Sequence, residues 1–308
     1  MRILGAGICA GLAWLVLAGS ARAQEAREKP GYPLLEVERP LTLPRGITEI
    51  PAGLSYFDAD RFFNADGEST AFADSDDWRL LTVLIEMDYG LASWLEVGAG
   101  IPYYSGRQFS GEGDNLGDLF GFARFKLLEN KAKTRELALD FKTSFPTGDS
   151  DIVMQLENKR FFQKNLRTGD PSMDFFFGLS GRWTYNKMAF RGGFAYGYRL
   201  EGEIKSGIEA VEDTVKFDPG ESFDAHFDYL YQIRSWLVGT IGLDYSEQAA
   251  NKIAGQSQDD DWRLLRVRPG AELQITPNMD LAVEIALPLS GQNQPVAYPI
   301  IVTWKNRF

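Results

Sequence analysis

The feature that most constrains this chain is a two-residue alternation of apolar and polar side chains sustained over unusually long stretches. Along 221–234, Phe223, Ala225, Phe227, Tyr229, Tyr231 and Ile233 share one face, while Ser222, Asp224, His226, Asp228, Gln232 and Arg234 share the other. A period of two is the signature of an extended strand whose successive side chains point to opposite sides. The same split recurs along 135–146, where Leu137, Leu139, Phe141 and Phe145 oppose Glu136, Asp140, Lys142 and Ser144. It recurs again along 279–288, where Met279, Leu281, Val283, Ile285 and Leu287 oppose Asp280 and Glu284. Few soluble strands are this long, and charges on one face with large apolar groups on the other fit a strand between lipid and a watery lumen.

Twelve such segments are expected, near 49–60, 78–90, 94–104, 117–128, 135–146, 172–185, 187–200, 221–234, 236–246, 261–275, 278–289 and 296–308. An even number is what a closed bacterial barrel requires. The connections alternate in length: short at Gly90 to Ser93, Glu129 to Thr134, Asn186, Ser235 and Thr276-Pro277, and mostly long at 61–77, 105–116, 147–171, 201–220 and 247–260. A barrel with both termini in the periplasm puts tight turns on one rim and long loops on the other, an obligation that a soluble sandwich does not have. The expected fold is therefore an all-β, transmembrane, antiparallel up-and-down β-barrel spanning residues 49–308. Pro102, Pro146 and Pro288 read as stops, because proline cannot donate to a ladder.

The start of the chain sets the compartment. Arg2, the apolar run Ile3 to Ala18 and the small-residue triplet Ala21-Arg22-Ala23 read as a signal peptide over 1–23. The sole cysteine, Cys9, lies inside that run, so the processed chain has no thiol chemistry. No later apolar run is long enough for a membrane helix. Residues 24–48 are rich in Pro, Glu and Arg and form an irregular leader, in the periplasm or tucked into the lumen. The formal charge of −11 argues against a nucleic-acid partner, which needs a basic face. The expected location is the outer membrane of a Gram-negative cell.

Parity around the barrel places Glu86, Asp88, Arg124, Lys126, Asp140, Lys142, Arg182, Arg191, Asp224, His226, Asp228, Arg266, Arg268, Glu272 and Glu284 on the pore-lining face. Acids and bases are roughly balanced there, as in an ion-paired wall. Phe57, Phe120, Phe122, Phe176 and Trp262 also fall inward, against the leader or an apolar solute. The hexapeptide DDWRLL occurs at 76–81 and 260–265 and puts Arg79 and Arg263 outward at the extracellular rim, within reach of outer-leaflet lipid and lipopolysaccharide phosphates. The aspartates at 74, 76, 77 and 259–261 read as solvated loop acids in preference to a cation site.

The last strand, AYPIIVTWKNRF, carries Tyr298, Ile300, Val302 and Trp304 on one face and ends in Phe308. Trp304 and Phe308 resemble the aromatic assembly signal read by the barrel-assembly machinery. As for catalysis, His226 is the sole histidine, flanked on its face by Asp224 and Asp228 with no nucleophile two residues away, so a hydrolase is not expected. Neither a metal nor a cofactor is expected, since one histidine and scattered carboxylates give no ligand spacing.

Three stretches, LASWLEVGAGIPYY at 91–104, LGDLFGFARFKLL at 116–128 and LALDFKTSFPTGDSD at 137–151, resemble the outer-membrane transporters grouped under the meta-pathway of phenol degradation. These are distant relatives of the fatty-acid and aromatic-hydrocarbon channels. The resemblance implies a passive channel for small, often aromatic or hydrophobic, molecules and supplies no catalytic residue. The alternative is a non-conducting barrel with a structural, adhesion or lipid-binding role carried by its long loops.

Overall fold

A computed structural model describes residues 37–72, 77–109, 111–157, 160–163, 166–208 and 211–308. The expected signal peptide lies outside these residues, as does the leader before Val37. Twelve strands form the barrel in chain order: β1 (Thr48–Ala59), β2 (Asp77–Ala92), β3 (Leu95–Phe109), β4 (Leu119–Glu129), β5 (Arg135–Phe145), β6 (Asp174–Tyr185), β7 (Met188–Arg199), β8 (Ser222–Arg234), β9 (Leu237–Gln248), β10 (Trp262–Thr276), β11 (Met279–Ile285) and β12 (Ile300–Arg307). Each pairs antiparallel with its sequence neighbours. The ring closes between β1 and β12, from Glu49↔Arg307 to Tyr56↔Ile300. Phe308 adds two seam hydrogen bonds, donating to the Thr48 carbonyl at 2.9 Å and accepting from the Thr48 amide at 3.2 Å. Closure leaves no strand edge, the condition for a sheet to stand in lipid.

The burial pattern is inverted relative to a soluble protein. Among the buried residues are Glu49, Asp88, Glu96, Glu136, Asp174, Arg182, Glu272, Asp280 and Arg307, whereas Leu54, Met87, Phe177, Phe194, Phe227, Ile241 and Ile300 lie exposed on the outside. Trp94, Trp183 and Trp236 stand exposed at the rim carrying the short turns, the position of an interfacial aromatic girdle. Tight turns follow the sequence: Asn186 takes the left-handed backbone between β6 and β7, and Asn130 Oδ1 accepts the amides of Thr134 and Arg135 at 2.8 and 3.0 Å between β4 and β5.

Two expectations need correction. Pro102 does not end a strand, because β3 runs on to Phe109. Its pairing with β4 covers Leu95 to Gly100 and its pairing with the hairpin strand Gly111–Leu116 begins at Tyr103, so Pro102 sits in the gap between partners. Pro288 likewise lies past a break at Ala286, beyond which Leu287–Gln292 continues the ladder against β10 with a register shift. The long connections are also not plain loops. Ile152–Glu157, Arg160–Gln163, Gly202–Ile208, Val211–Asp218, Lys252–Ile253 and Gln256–Ser257 form a second, six-stranded sheet on the rim opposite the short turns, the one expected to be extracellular.

Candidate functional site

The described part of the leader, from Val37 to Ile47, lies inside the barrel across its periplasmic end. Val37 packs with Ala189, Leu230 and Val238 from β7, β8 and β9. From there the chain crosses to β2, where Gly46 donates to the Gly90 carbonyl at 2.7 Å and Gly90 donates to the Ile47 carbonyl at 2.9 Å. An irregular segment at membrane depth must find partners for its backbone, and the wall supplies them. Glu136 accepts the Leu41 amide at 2.8 Å and Glu96 the Leu43 amide at 2.5 Å. Arg124, Arg182 and Arg191 donate to the carbonyls of Leu41, Val37 and Arg39 at 3.1, 3.0 and 3.3 Å. Arg39 pairs with Glu49, itself bonded to Arg307 at 2.7 Å.

Above the leader the lumen holds two compartments in series. The inner one, about 570 Å³, is lined by Asp88, Glu96, Asp140 and Asp224 against Arg124, with His226 and Phe122 alongside. The outer one, about 750 Å³, is lined by Asp118, Asp170, Asp174 and Asp260 against Arg167 and Arg199. Glu86, Phe120, Lys142 and Phe176 line both and form the neck between them. Lys142 Nζ lies 4.1 Å from the Phe120 ring centroid and 5.7 Å from that of Phe176.

Three of the inward phenyl rings, Phe120, Phe122 and Phe176, lie flat because each stands opposite a glycine. Phe122 pairs in register with Gly98, Phe120 with Gly100 and Phe176 with Gly197. A methyl group at those glycines would fall 2.3 Å, 2.6 Å and 2.8 Å from the respective rings. The rings therefore fold onto bare backbone instead of crossing the lumen.

Not all fifteen parity-assigned residues reach open space. Glu86, Asp88, Arg124, Asp140, Lys142, Asp224 and His226 do. Lys126 and Arg182 instead hold Glu136, at 3.7 and 3.2 Å, and Arg191 holds the leader. On the opposite wall Arg268 bonds Asp228, Asp244 and Glu284 at 2.9, 2.5 and 2.8 Å, Arg266 lies 3.8 Å from Asp244, and Glu272 lies 3.6 Å from Lys305. The expected balance of charge holds among these fifteen residues, seven acids against seven bases beside His226, and fails for the open compartments, where carboxylates outnumber cations. Arg79 and Arg263 are exposed, opposite Asp58 and Arg107 and opposite Glu247 and Gln292. Trp304 and Phe308 border an apolar groove of about 360 Å³ on the outer wall. Asp74 and Asp76 lie outside the described residues, Asp260 accepts from Asn251 Nδ2 at 2.6 Å, and the described residues hold no metal-ligating group. His226 faces Gly193 and Asp244 in register, with no nucleophile opposite.

One site escaped the sequence reading. Asp118, in LGDLF, accepts the amides of Thr147 and Gly148 from FPTGD at 3.0 and 2.8 Å on one oxygen and that of Asp170 at 2.8 Å on the other. Thr147 Oγ1 accepts the Leu119 amide at 2.7 Å, and Thr168 Oγ1 donates to the Leu116 carbonyl at 3.0 Å. This knot holds residues 166–170 against the outer compartment, which they line. Burial raises the Asp118 pKa against the lowering by its backbone donors, and burial over the Phe217 ring lowers that of Arg167. The paired motifs were the available signal, though their contact was not inferable from spacing.

The sequence model of the family described as "Putative MetA-pathway of phenol degradation" matches residues 161–302. The match lies in the carboxy-terminal half and does not include the stretches at 91–151. No curated protein matches the chain. Among solved structures, the COG4313 outer membrane channel from Pseudomonas putida F1 superimposes with a TM-score of 0.68 at 18% identity, covering 87% of this chain and 97% of that one. The translocator domain of the autotransporter NalP from Neisseria meningitidis gives 0.51 at 11% identity, covering 95% and 98%. The chain has the fold of an outer-membrane β-barrel.

Proposed function

We propose that this protein is a passive outer-membrane channel for small molecules, aromatic ones among them. The observation that carries the reading is the pair of compartments in series, joined at a phenyl-lined neck and stoppered on the periplasmic side by the leader. The family match and the channel named in the similar structure support the same class. Transport then requires the leader to shift, since it is anchored by hydrogen bonds and not by covalent closure. Planar-bilayer recordings of the purified barrel test this: conductance steps are expected, and their absence in every salt would remove the channel and leave the non-conducting reading, which the extracellular six-stranded sheet favours.

Three partner roles complete the proposal. Arg79 and Arg263 contact lipid phosphates of the outer leaflet, lipopolysaccharide included, so replacing both with Gln lowers co-purified lipopolysaccharide. Trp304 and Phe308 present the terminal strand to the assembly machinery. Processing of residues 1–23 precedes insertion, checked by the mass of the mature amino terminus.

A further inference from the structure

We propose that the conduit selects small organic cations over anions, with the neck formed by Glu86, Phe120, Lys142 and Phe176 as the recognition site. This rests on the channel reading. Four carboxylates face one guanidinium in the inner compartment and four face two in the outer one, while Glu86 and Lys142 offset each other at the neck. The guanidiniums that would restore balance are engaged elsewhere: Arg182 and Arg191 hold leader carbonyls, Arg268 is enclosed by three carboxylates, and Arg266 lies beside Asp244 at 3.8 Å. An acid-lined passage with low-dielectric walls concentrates cations and depletes anions.

The neck adds chemical detail. The faces of aromatic rings carry negative potential and attract ammonium groups. Lys142 reaches into the lumen, and its ammonium rests over Phe120 and near Phe176, facing the carboxylates of Glu86, Asp224 and Asp174. A protonated amine entering the neck would meet the surroundings that Lys142 meets already, so this side chain is a tethered stand-in for the permeant ion. An aromatic anion would meet ring faces and carboxylates together. A neutral hydrocarbon would pass between two charged compartments with no compensation for leaving the membrane.

The test is the reversal potential of the full mature barrel in planar bilayers under a potassium chloride gradient, followed by benzylammonium chloride and potassium benzenesulfonate. Potassium is expected to outpass chloride by roughly tenfold at low salt, and benzylammonium to outpass benzenesulfonate. K142M should raise the cation preference and the conductance, and E86Q with D224N should lower the preference; heat-modifiable mobility checks that each variant is folded. Equal or faster passage of the anions, or a loss of benzenesulfonate permeation in K142M that reveals an anion site, overturns the inference while leaving a channel. A barrel that conducts nothing removes the channel reading and this inference with it.

Discussion

Replacing Asp118 with Ala should open the extracellular knot without unfolding the barrel. Its carboxylate is the acceptor for three backbone amides, Thr147, Gly148 and Asp170, from two segments that are also joined to each other through Asp149 with Thr168 and Gly169 and to 116–119 through Thr147 and Thr168. A hydrogen bond to a charged group contributes about 1.5–3 kcal/mol net. Asp118 is only partly buried and the freed amides lie near water, so the low end applies and the total is about 3 kcal/mol after allowing for rehydration. At about 1.4 kcal/mol per factor of ten, the closed-to-open ratio of the knot falls by roughly two orders of magnitude. Hydrogen exchange of the Thr147, Gly148 and Asp170 amides should accelerate by that factor, while the amides of β4 and β5 keep their protection. Asp118→Asn retains one acceptor oxygen, so Thr147 and Gly148 should stay protected and Asp170 alone should exchange faster. Unchanged exchange at all three positions in the Ala variant would refute the role given to this carboxylate.

Gly90→Ala should unseat the leader, because a methyl group there falls 2.0 Å from the Pro44 carbonyl oxygen, a backbone atom that cannot rotate away; the overpacking cost is about 1–3 kcal/mol, read as new protease cleavage near Pro44 and larger conductance. Arg182→Met removes a donor to the Val37 carbonyl and the nearer of the two cations beside buried Glu136, which keeps Lys126 at 3.7 Å and the Leu41 amide, so the cost stays below the roughly 3–5 kcal/mol of an uncompensated buried charge, seen as a lowered temperature for loss of the compact electrophoretic form. Deleting Phe308 removes both seam hydrogen bonds to Thr48, and the fraction of chain reaching the heat-modifiable folded form should fall more in cells than in detergent refolding, where no assembly machinery reads the terminus.

The strands were legible because one rule acts on each of them separately. Alternation along 221–234 needs nothing beyond that segment to declare two faces, and β8 begins and ends within a residue of it. Even the inward phenyl groups were legible as such, whereas their flatness depends on Gly98, Gly100 and Gly197 arriving opposite by register. Proline misled where its ladder partner changed: Pro102 lacks an amide at a place on β3 between the end of the pairing with β4 and the start of that with Gly111–Leu116, while the pairing with β2 runs on through Leu84. A lumenal leader was one of the two placements left open, but its path was not legible, since its partners, from Glu49 to Val238, are scattered along the chain and no local pattern links them.

The charge of the conduit follows from where the leader lies. An irregular segment brought to membrane depth carries amides and carbonyls that neither lipid nor a ladder can satisfy, so the wall beside it must present donors and acceptors of its own. Pro40 and Pro44 remove two amides from that chain while leaving every carbonyl, and those carbonyls call for donors such as guanidinium groups. Arg124, Arg182 and Arg191 answer that call from β4, β6 and β7. With Arg182 and Arg191 turned toward the leader's backbone and Arg124 shared between Leu41 and Asp140, the carboxylates lining the open compartments outnumber the cations beside them, and the passage is acidic where it is open. Stoppering the barrel and making its open length acidic are then one arrangement: freeing the leader by Gly90→Ala would also return guanidiniums to the lumen, so cation preference should fall as conductance rises.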